Sequence, residues 1–233
     1  YRELLVAKPG DFDLSMKLAY VLVLQRQYQE AIMLYESMLK ISPDHYQILV
    51  SLSYVYEAVA NIDAAIEAAE RSIQVAPTQP EGYNNLGNAF KLKHDLENAS
   101  ENFRKAISLR PDFAMAEFNL ATTRMLQGNL QDGWRGYERR TDIAASPQQQ
   151  YPGQQWQGEP LTGKSICLWC EQGFGDTLLF LRFAIELKKR GAARVLVLCQ
   201  TELAALLKQV PEIDQILKAG DPQPECDYQC ALL

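Results

Sequence analysis

Hydrophobic and small residues recur at one fixed interval in the N-terminal half of the chain. Every 34 residues an apolar pattern of helical spacing ends at a proline, at Pro9, Pro43, Pro77 and Pro111. Small residues recur at the same interval in two columns, Ala19, Ser53, Gly87 and Ala121 in the first and Ala31, Ala65, Ala99 and Gly133 in the second. Small residues let two helices approach closely, and large neighbours fill the groove beside them. The period therefore predicts stacked helical hairpins that bury their apolar faces against one another.

The pattern of the best-defined interval resembles the tetratricopeptide repeat. The residues that carry this resemblance are Tyr83, Leu86, Gly87, Phe90, Ala99, Phe103, Ala106 and Pro111. The N-terminal residues resemble only the end of a repeat, so we expect the natural protein to begin before Tyr1. The array is predicted to cover residues 1–140, with a partial repeat at 1–11, repeats at 12–45, 46–79 and 80–113, and a divergent copy at 114–140.

The composition changes after Arg140. Residues 141–160 lack helical periodicity and are rich in glutamine, proline and glycine, which is typical of a linker. Trp156 lies in this stretch and is too large and apolar to be left in solvent. We therefore expect it to anchor the linker on a neighbouring domain, the alternative being a ligand-stacking role.

Short β-rich runs alternate with helical spacing from Leu161 to the end of the chain. Strands separated by helices predict a parallel sheet with right-handed crossovers. The predicted strands are Ser165–Cys170, Arg194–Cys199, Ile213–Leu217 and Cys226–Leu233, and the predicted helices are Thr177–Arg190 and Thr201–Gln209. The fold class is thus a helical solenoid followed by part of a Rossmann-like α/β domain at residues 161–233.

Composition and charge exclude several classes of partner. The formal net charge is −6, which disfavours nucleic acid, because neutralising phosphates needs a basic face. The chain has no apolar run of about 18 residues, so no membrane span is expected. Its 5 cysteines are an odd number and lie mostly in apolar runs, which suits reduced thiols in a cytoplasmic protein. Cys167 and Cys170 lie three apart on a predicted strand and should point to opposite faces, so core packing is favoured over a zinc or redox pair.

The segment from Glu171 to Thr177 is the candidate site, because ligands of open α/β sheets bind beyond the carboxyl ends of strands. Gly173 and Gly175 would line this cleft loop, but Leu178 replaces the third glycine of a dinucleotide fingerprint, so dinucleotide binding is not supported. Asp176 is either a general base or a helix N-cap. Capping would lower its pKa and weaken it as a base. Glu171 is the second carboxylate candidate.

The chain also resembles bacterial tetratricopeptide-repeat proteins fused to a heptosyltransferase-like glycosyltransferase domain of the GT-B type. The motifs are Gly133-Trp134-x-x-Tyr137-Glu138-x-Arg140, Trp156-x-Gly158, Leu161-x-Gly163-Lys164 and Glu171-Gln172-Gly173-x-Gly175-Asp176-Thr177. The resemblance implies that Asp176 is the base and that a nucleotide-sugar donor binds mainly to a second Rossmann domain. The chain stops at Leu233 before completing the first, so we expect no cofactor and no sugar transfer for this part alone.

No metal site is expected. The one Asp-x-Asp motif, Asp11-Phe12-Asp13, falls at a repeat boundary far from the α/β part, where it is better explained as the start of a helix. The only histidines, His45 and His94, lie in the repeats, so the α/β part has no histidine base. The implied glycosyl transfer is metal-independent.

The layout of array and α/β part resembles O-linked N-acetylglucosamine transferase, in which asparagines of the superhelix face the bound polypeptide. Asn85 and Asn119 occupy the matching column, whereas Lys17 and Ser51 depart from it. The resemblance implies a polypeptide or protein partner in the groove of the array, or a glycan acceptor. Two alternatives stay open: the asparagines only solvate a helix face, or the whole protein is a non-catalytic interaction scaffold.

Overall fold

The computed structural model of the chain describes residues 11–143, 153–170, 173–222 and 225–232. The chain divides into two compact units, Tyr1–Ser146 and Pro147–Leu233. The predicted fold class, a helical array followed by an α/β unit with a parallel sheet, is confirmed. The partial repeat predicted at residues 1–11 lies almost entirely outside the described residues, as does the middle of the predicted linker.

The first unit consists of helices that pack in sequence as antiparallel neighbours joined by short turns. Each 34-residue interval contributes a first and a second helix to one hairpin. The helices are α1 (Phe12–Leu24), α2 (Tyr28–Ile41), α3 (Tyr46–Ala58), α4 (Ile62–Val75), α5 (Pro80–Leu92), α6 (Leu96–Leu109), α7 (Ala114–Leu126) and α8 (Leu130–Tyr137), followed by the single turn α9 (Arg140–Ile143).

The two predicted columns of small residues lie where helices cross. Ala19, Ser53 and Ala121 are buried in the first helices, and Ala31, Ala65 and Ala99 are fully buried in the second helices. At Gly87 an added Cβ atom would lie 2.6 Å from a ring carbon of Phe103, so one of the two helices or the ring would have to move. The hydroxyl of Ser53 donates to the carbonyl oxygen of Ala65 at 3.0 Å across one such crossing. The register read from the sequence is therefore confirmed.

The turn inside each hairpin has one left-handed residue at a constant position. Arg26, Ala60, His94 and Gly128 have φ values of 58°, 58°, 61° and 84°. At the second of these turns, the amide of Ala60 donates to the Glu57 carbonyl and the amide of Asn61 to the Tyr56 carbonyl, which is the Schellman arrangement. Only one of the four positions holds glycine, although a side chain in this conformation costs about 1–2 kcal/mol.

The first helices of successive hairpins also contact one another, α3 against α5 and α5 against α7. We call the surface formed by α1, α3, α5 and α7 the inner face. No helix of the described ranges is long and apolar enough to cross a bilayer.

The second unit is built on a five-stranded sheet in which all pairings between strands are parallel. The strand order is β1-β5-β2-β3-β4. The strands are β1 (Gln154–Gln155), β2 (Ser165–Cys170), β3 (Arg194–Leu198), β4 (Gln215–Leu217) and β5 (Tyr228–Leu232), and the helices are α10 (Phe174–Phe180), α11 (Phe183–Lys189) and α12 (Ala204–Leu207), the last preceded by a 3₁₀ turn at Thr201–Leu203.

The helices of the second unit differ from those predicted. The helix expected at Thr177–Arg190 begins earlier and is split at residues 181–182 into α10 and α11, with the rings of Phe180 and Phe183 stacked 6.2 Å apart across the break. The apolar spacing continues through the break because Leu181 and Ala184 both stay in the core. Spacing alone therefore did not reveal the interruption.

The end of the predicted linker contains an edge strand. Gln154 and Gln155 pair in parallel with the start of β5, and the next amide, that of Trp156, donates to the Gln229 carbonyl. The Trp156 indole packs against the core of the second unit, and its N–H donates to the Glu159 carbonyl at 3.0 Å. The predicted anchoring role of Trp156 is confirmed, and two residues of the predicted linker form this short strand.

The cysteines on β2 occupy opposite faces, as expected. Cys167 packs in a small cluster with Leu196 and Leu217 on one face of the sheet, while Cys170 packs against the main core of the other face. Burial raises the pKa of the Cys167 thiol to about 12, which suits a packing role. The described residues contain no cluster of metal-binding side chains.

The left-handed turn residues generate a stability prediction. Because a side chain at a φ of 58° strains the backbone of Ala60 and glycine removes that strain, Ala60→Gly should raise the free energy of unfolding by about 1 kcal/mol. Ala58→Gly, two residues earlier in the last helical turn, is the matched control and should lower it by up to about 1 kcal/mol. Urea unfolding of both variants measures the pair, and equal effects at the two sites would contradict the turn assignment.

Candidate functional site

The strand order places a topological switch point beside β2. The chain runs from β2 to β3 and β4 on one side and then returns to add β5 on the other side of β2. Ligands of open α/β sheets bind in the crevice beyond the carboxyl ends of the two strands at such a point. The segment Gly173–Asp176 follows the carboxyl end of β2, so the predicted loop lies at the expected edge of the sheet. Glu171, the other candidate carboxylate, lies outside the described residues.

Asp176 is not the cap of the helix that follows β2. Helix α10 begins at Phe174, its N-cap residue is Gly173, and Asp176 lies inside the first turn. The alternative of an N-cap role for Asp176 is therefore wrong. Its carboxylate is half-buried and accepts no hydrogen bond from the described part of the chain. A carboxylate that caps nothing keeps its oxygens available to a proton or a hydroxyl group.

The two glycines of the loop are not explained by backbone strain. Gly173 has a φ of −73°, which any residue adopts, and Gly175 lies in the helix. An added Cβ atom at Gly175 would meet nothing within 4 Å, and one at Gly173 would meet only an Asp176 oxygen at 3.9 Å. Their exposed backbone is thus open to whatever approaches this edge of the sheet.

Sequence reasoning missed two polar pairs near the carboxyl end of β2 and the start of α10. The buried Thr177 hydroxyl lies 3.1 Å from the Gln200 side-chain oxygen, to which it donates, and so ties α10 to the end of β3. The Trp169 indole donates to the Gln229 side-chain oxygen at 2.7 Å and joins β2 to β5 across the switch point. The spacing of residues along the sequence predicts neither pair, because each joins residues from different strands or helices.

Asn85 and Asn119 lie in one row on the inner face, but their amides are engaged. The Asn85 side-chain amide donates to the Val50 carbonyl of α3 at 2.9 Å, and that of Asn119 donates to the Asn84 side-chain oxygen of α5 at 3.0 Å. They are only 9% and 7% exposed, so the alternative in which they solvate a helix face is wrong. Both asparagines tie the first helices of neighbouring hairpins together.

A second row on the inner face contains charges that sequence reasoning did not single out. Glu57 and Lys91 occupy the same column of consecutive repeats, at the ends of α3 and α5. One Glu57 carboxylate oxygen is buried without a hydrogen-bond partner among the described residues. Burial raises the pKa of Glu57 to about 8, against a smaller opposing effect of Lys91. The Lys91 ammonium lies 5.6 Å from the centroid of the Phe103 ring, and burial lowers its pKa.

Comparison with known proteins identifies the array. Models of the tetratricopeptide repeat match residues 22–86 and 80–113. FlbA of Caulobacter vibrioides is 41% identical over 69 residues, which make up 29% of this chain and 12% of FlbA. The matched region is therefore a small part of that relative.

Solved structures support the same fold. MamA from Desulfovibrio magneticus is 21% identical, with a TM-score of 0.51 over 61% of this chain and 78% of that one. TTC0263 from Thermus thermophilus, a TPR protein, is 19% identical, with a TM-score of 0.53 over 58% of this chain and 75% of that one. A mutant O-GlcNAc transferase of Thermobaculum terrenum is 18% identical, with a TM-score of 0.54 over 91% of this chain and 41% of the transferase. At these identities the likeness is one of fold.

The buried Glu57 carboxyl generates a pH-dependent prediction. Because its pKa is raised from 4.5 to about 8 in the folded chain, the folded state holds more protons than the unfolded state between these values. The contribution of Glu57 to stability is therefore full below pH 4.5 and is lost as pH rises through 8. Glu57→Gln cannot ionise, so its stability relative to the wild type should grow from pH 5 to pH 9 in urea unfolding. A difference that is constant with pH would contradict the burial of this carboxyl group.

The asparagine row generates a prediction about stability. Removing the Asn85 amide breaks its bond to α3, so Asn85→Ala should lower the free energy of unfolding by about 1 kcal/mol. Asn88→Ala is the control on the same helix, because the Asn88 side chain has no hydrogen bond within the described ranges and should change stability by less. Equal losses from both substitutions in urea unfolding would rule out the tie between α3 and α5.

Proposed function

We propose that this tetratricopeptide-repeat protein belongs to a glycosyltransferase of the GT-B type, whose repeats recruit a polypeptide acceptor. The observation that carries the proposal is the position of Asp176, which lies beyond the end of β2 at the switch point of a parallel sheet. Asp176 is half-buried, and its carboxylate does not cap the helix. The fold likeness to an O-GlcNAc transferase over 91% of the chain supports the same order of array and α/β unit. We place this activity in the cytoplasm.

Asp176 would act as the general base. In the proposed reaction an acceptor hydroxyl attacks the anomeric carbon of a nucleotide-sugar, the nucleoside diphosphate leaves, and the hydroxyl proton passes to the carboxylate. A capping carboxylate would be stabilised in its ionised form and would bind that proton weakly. The absence of a cap bond from the described residues therefore favours Asp176 as the proton acceptor. No metal ion enters this scheme.

The donor is proposed to be a nucleotide-sugar held mainly by a second Rossmann domain of the whole protein. This chain spans 41% of the transferase whose fold it shares, so the donor site is assigned to the whole protein and not to these residues. Gly173 and Gly175 would border the cleft from this side. Their open backbone supports this, because an added Cβ atom would meet nothing within 4 Å at Gly175 and, at Gly173, an Asp176 oxygen at an ordinary contact distance of 3.9 Å.

The acceptor is proposed to be a polypeptide that lies along the inner face of the repeats. Exposed Tyr20 and Tyr54 occupy one column of consecutive first helices and offer apolar contact surface there. Stacked repeats form a continuous surface suited to an extended chain. Asn85 and Asn119 would contribute by holding neighbouring first helices in register rather than by presenting free amide donors.

Substitution of Asp176 tests the enzymatic part of the proposal. In the full-length natural protein, Asp176→Asn preserves shape but removes the base, so sugar transfer should fall by about 10²–10⁴-fold while nucleotide-sugar binding is retained. Transfer is measured with radiolabelled donor, and donor binding by calorimetry.

The matched control is Glu186→Gln, which removes an exposed carboxylate on α11 that pairs with Arg190. This variant should transfer sugar at the wild-type rate. Wild-type activity of Asp176→Asn would remove Asp176 as the base. Failure of the wild-type protein to bind any nucleotide-sugar would favour the non-catalytic scaffold.

A further inference from the structure

The last turn of α3 contains a carboxylate where a helix disfavours one. Glu57 is the penultimate residue of α3, where the negative end of the helix dipole disfavours a carboxylate and favours a cation. One Glu57 oxygen is buried without a hydrogen-bond donor in the described part of the chain. A buried acceptor that is left unpaired destabilises the fold, and more so when it is charged. The fold gains nothing from this arrangement by itself.

The charged groups around α3 do not neutralise Glu57 by direct contact. Lys91, from α5, is the nearby cation, yet it forms no ion pair with Glu57 among the described residues and lies over the Phe103 ring instead. The carboxylates of Glu36 on α2 and Glu67 on α4 act on a different residue of α3, the Tyr56 hydroxyl, which donates to Glu36 at 2.6 Å. Glu57 therefore lacks a donor of its own.

The repeat architecture does not require a carboxylate at this position. The same column holds Val23 in the preceding repeat and Met125 in the last, and both are apolar. The neighbouring ring of Tyr54, one turn earlier on α3, is 52% exposed, and that of Tyr20 on α1 is 61% exposed. An acceptor oxygen, a helix carboxyl end and an exposed aromatic ring thus occupy one turn of the inner face.

We infer that the last turn of α3 binds a lysine or arginine side chain of the polypeptide recruited by the array. This inference rests on the proposed recruitment of polypeptide by the inner face. The Glu57 carboxylate supplies the countercharge, and the Tyr54 ring covers the aliphatic stem of the bound side chain. Acceptor segments with a basic residue at this register are therefore preferred over neutral ones.

Binding of a cation at Glu57 requires the ionised carboxylate. Because the pKa of Glu57 is raised by burial to about 8, most of the free protein holds this group protonated at neutral pH. The cation then releases that proton when it binds. Preference for a basic side chain should therefore increase from pH 6 to pH 9.

The test compares peptides that differ in one side chain. The probes are acetylated and amidated peptide libraries in which a central position is fixed as lysine or as norleucine, its neutral isostere, with all flanking positions randomised. Binding to the intact chain is measured by fluorescence anisotropy at pH 6 and pH 9. The wild type should prefer the lysine library by roughly tenfold at pH 9, which corresponds to one charge-assisted hydrogen bond, and by less at pH 6.

Two variants distinguish the loss of the Glu57 charge from a general effect of substitution on the array. Glu57→Gln should bind both libraries as the wild type binds norleucine, with no pH dependence of the preference. Glu67→Gln, which removes an exposed carboxylate from α4, should keep the wild-type preference. A lysine preference that survives in Glu57→Gln would overturn the inference.

The remaining outcomes distinguish this inference from the proposed function. If the wild type binds both libraries equally at both pH values, the basic-residue site is wrong while polypeptide recruitment stands. If the wild type binds neither library, recruitment by the inner face is itself wrong and the site is refuted with it.

Discussion

The close approach of helices at the small columns is the constraint on which the rest of the array depends. At Gly87 there is no room for a single extra carbon beside Phe103, and at Ser53 the hydroxyl bonds directly to the Ala65 backbone of the crossing helix. Because small residues keep the two helices of each hairpin close together, successive first helices are brought into one row. Only then can Asn85 reach α3 and Asn119 reach α5.

This constraint leaves other columns free to vary. The fold needs small residues at the crossings and a left-handed residue at the turn of each hairpin, but the column of Glu57 accepts valine, glutamate, lysine or methionine in different repeats. Its side chains still pack, since Val23 lies against the core and Lys91 lies over the Phe103 ring, but no single residue type is required there. The charges at Glu57 and Lys91 are therefore better candidates for recognition of a partner than the alanines and glycines at the crossings.

Periodicity predicted much of this structure because packing repeats with the sequence. The crossings, the four main strands and the opposite faces of Cys167 and Cys170 all follow from spacing. Spacing did not predict the left-handed turns, since three of their four residues are not glycine, nor the short edge strand at Gln154, which forms only because β5 pairs with it. The bonds of Asn85 and Thr177 were also missed, because their partners lie 35 and 23 positions away on other elements.

The carboxylates of the chain separate into two groups by how well their oxygens are satisfied. Asp227 accepts bonds from the Ser165 amide and hydroxyl and from Lys164, and these hold the pKa of Asp227 well below its usual range. Although partial burial opposes it, the Lys188 ammonium and the Val195 amide likewise lower the pKa of Asp214. These two carboxylates bind backbone amides at the starts of β2 and β3, so the fold itself accounts for their hydrogen bonds. Asp176 accepts no bond from the described residues, although the helix dipole favours a carboxylate in the first turn, and Glu57 keeps a buried oxygen unpaired. Hydrogen bonding within the fold uses neither group fully, which is why we propose proton transfer for the first and recognition of a partner for the second.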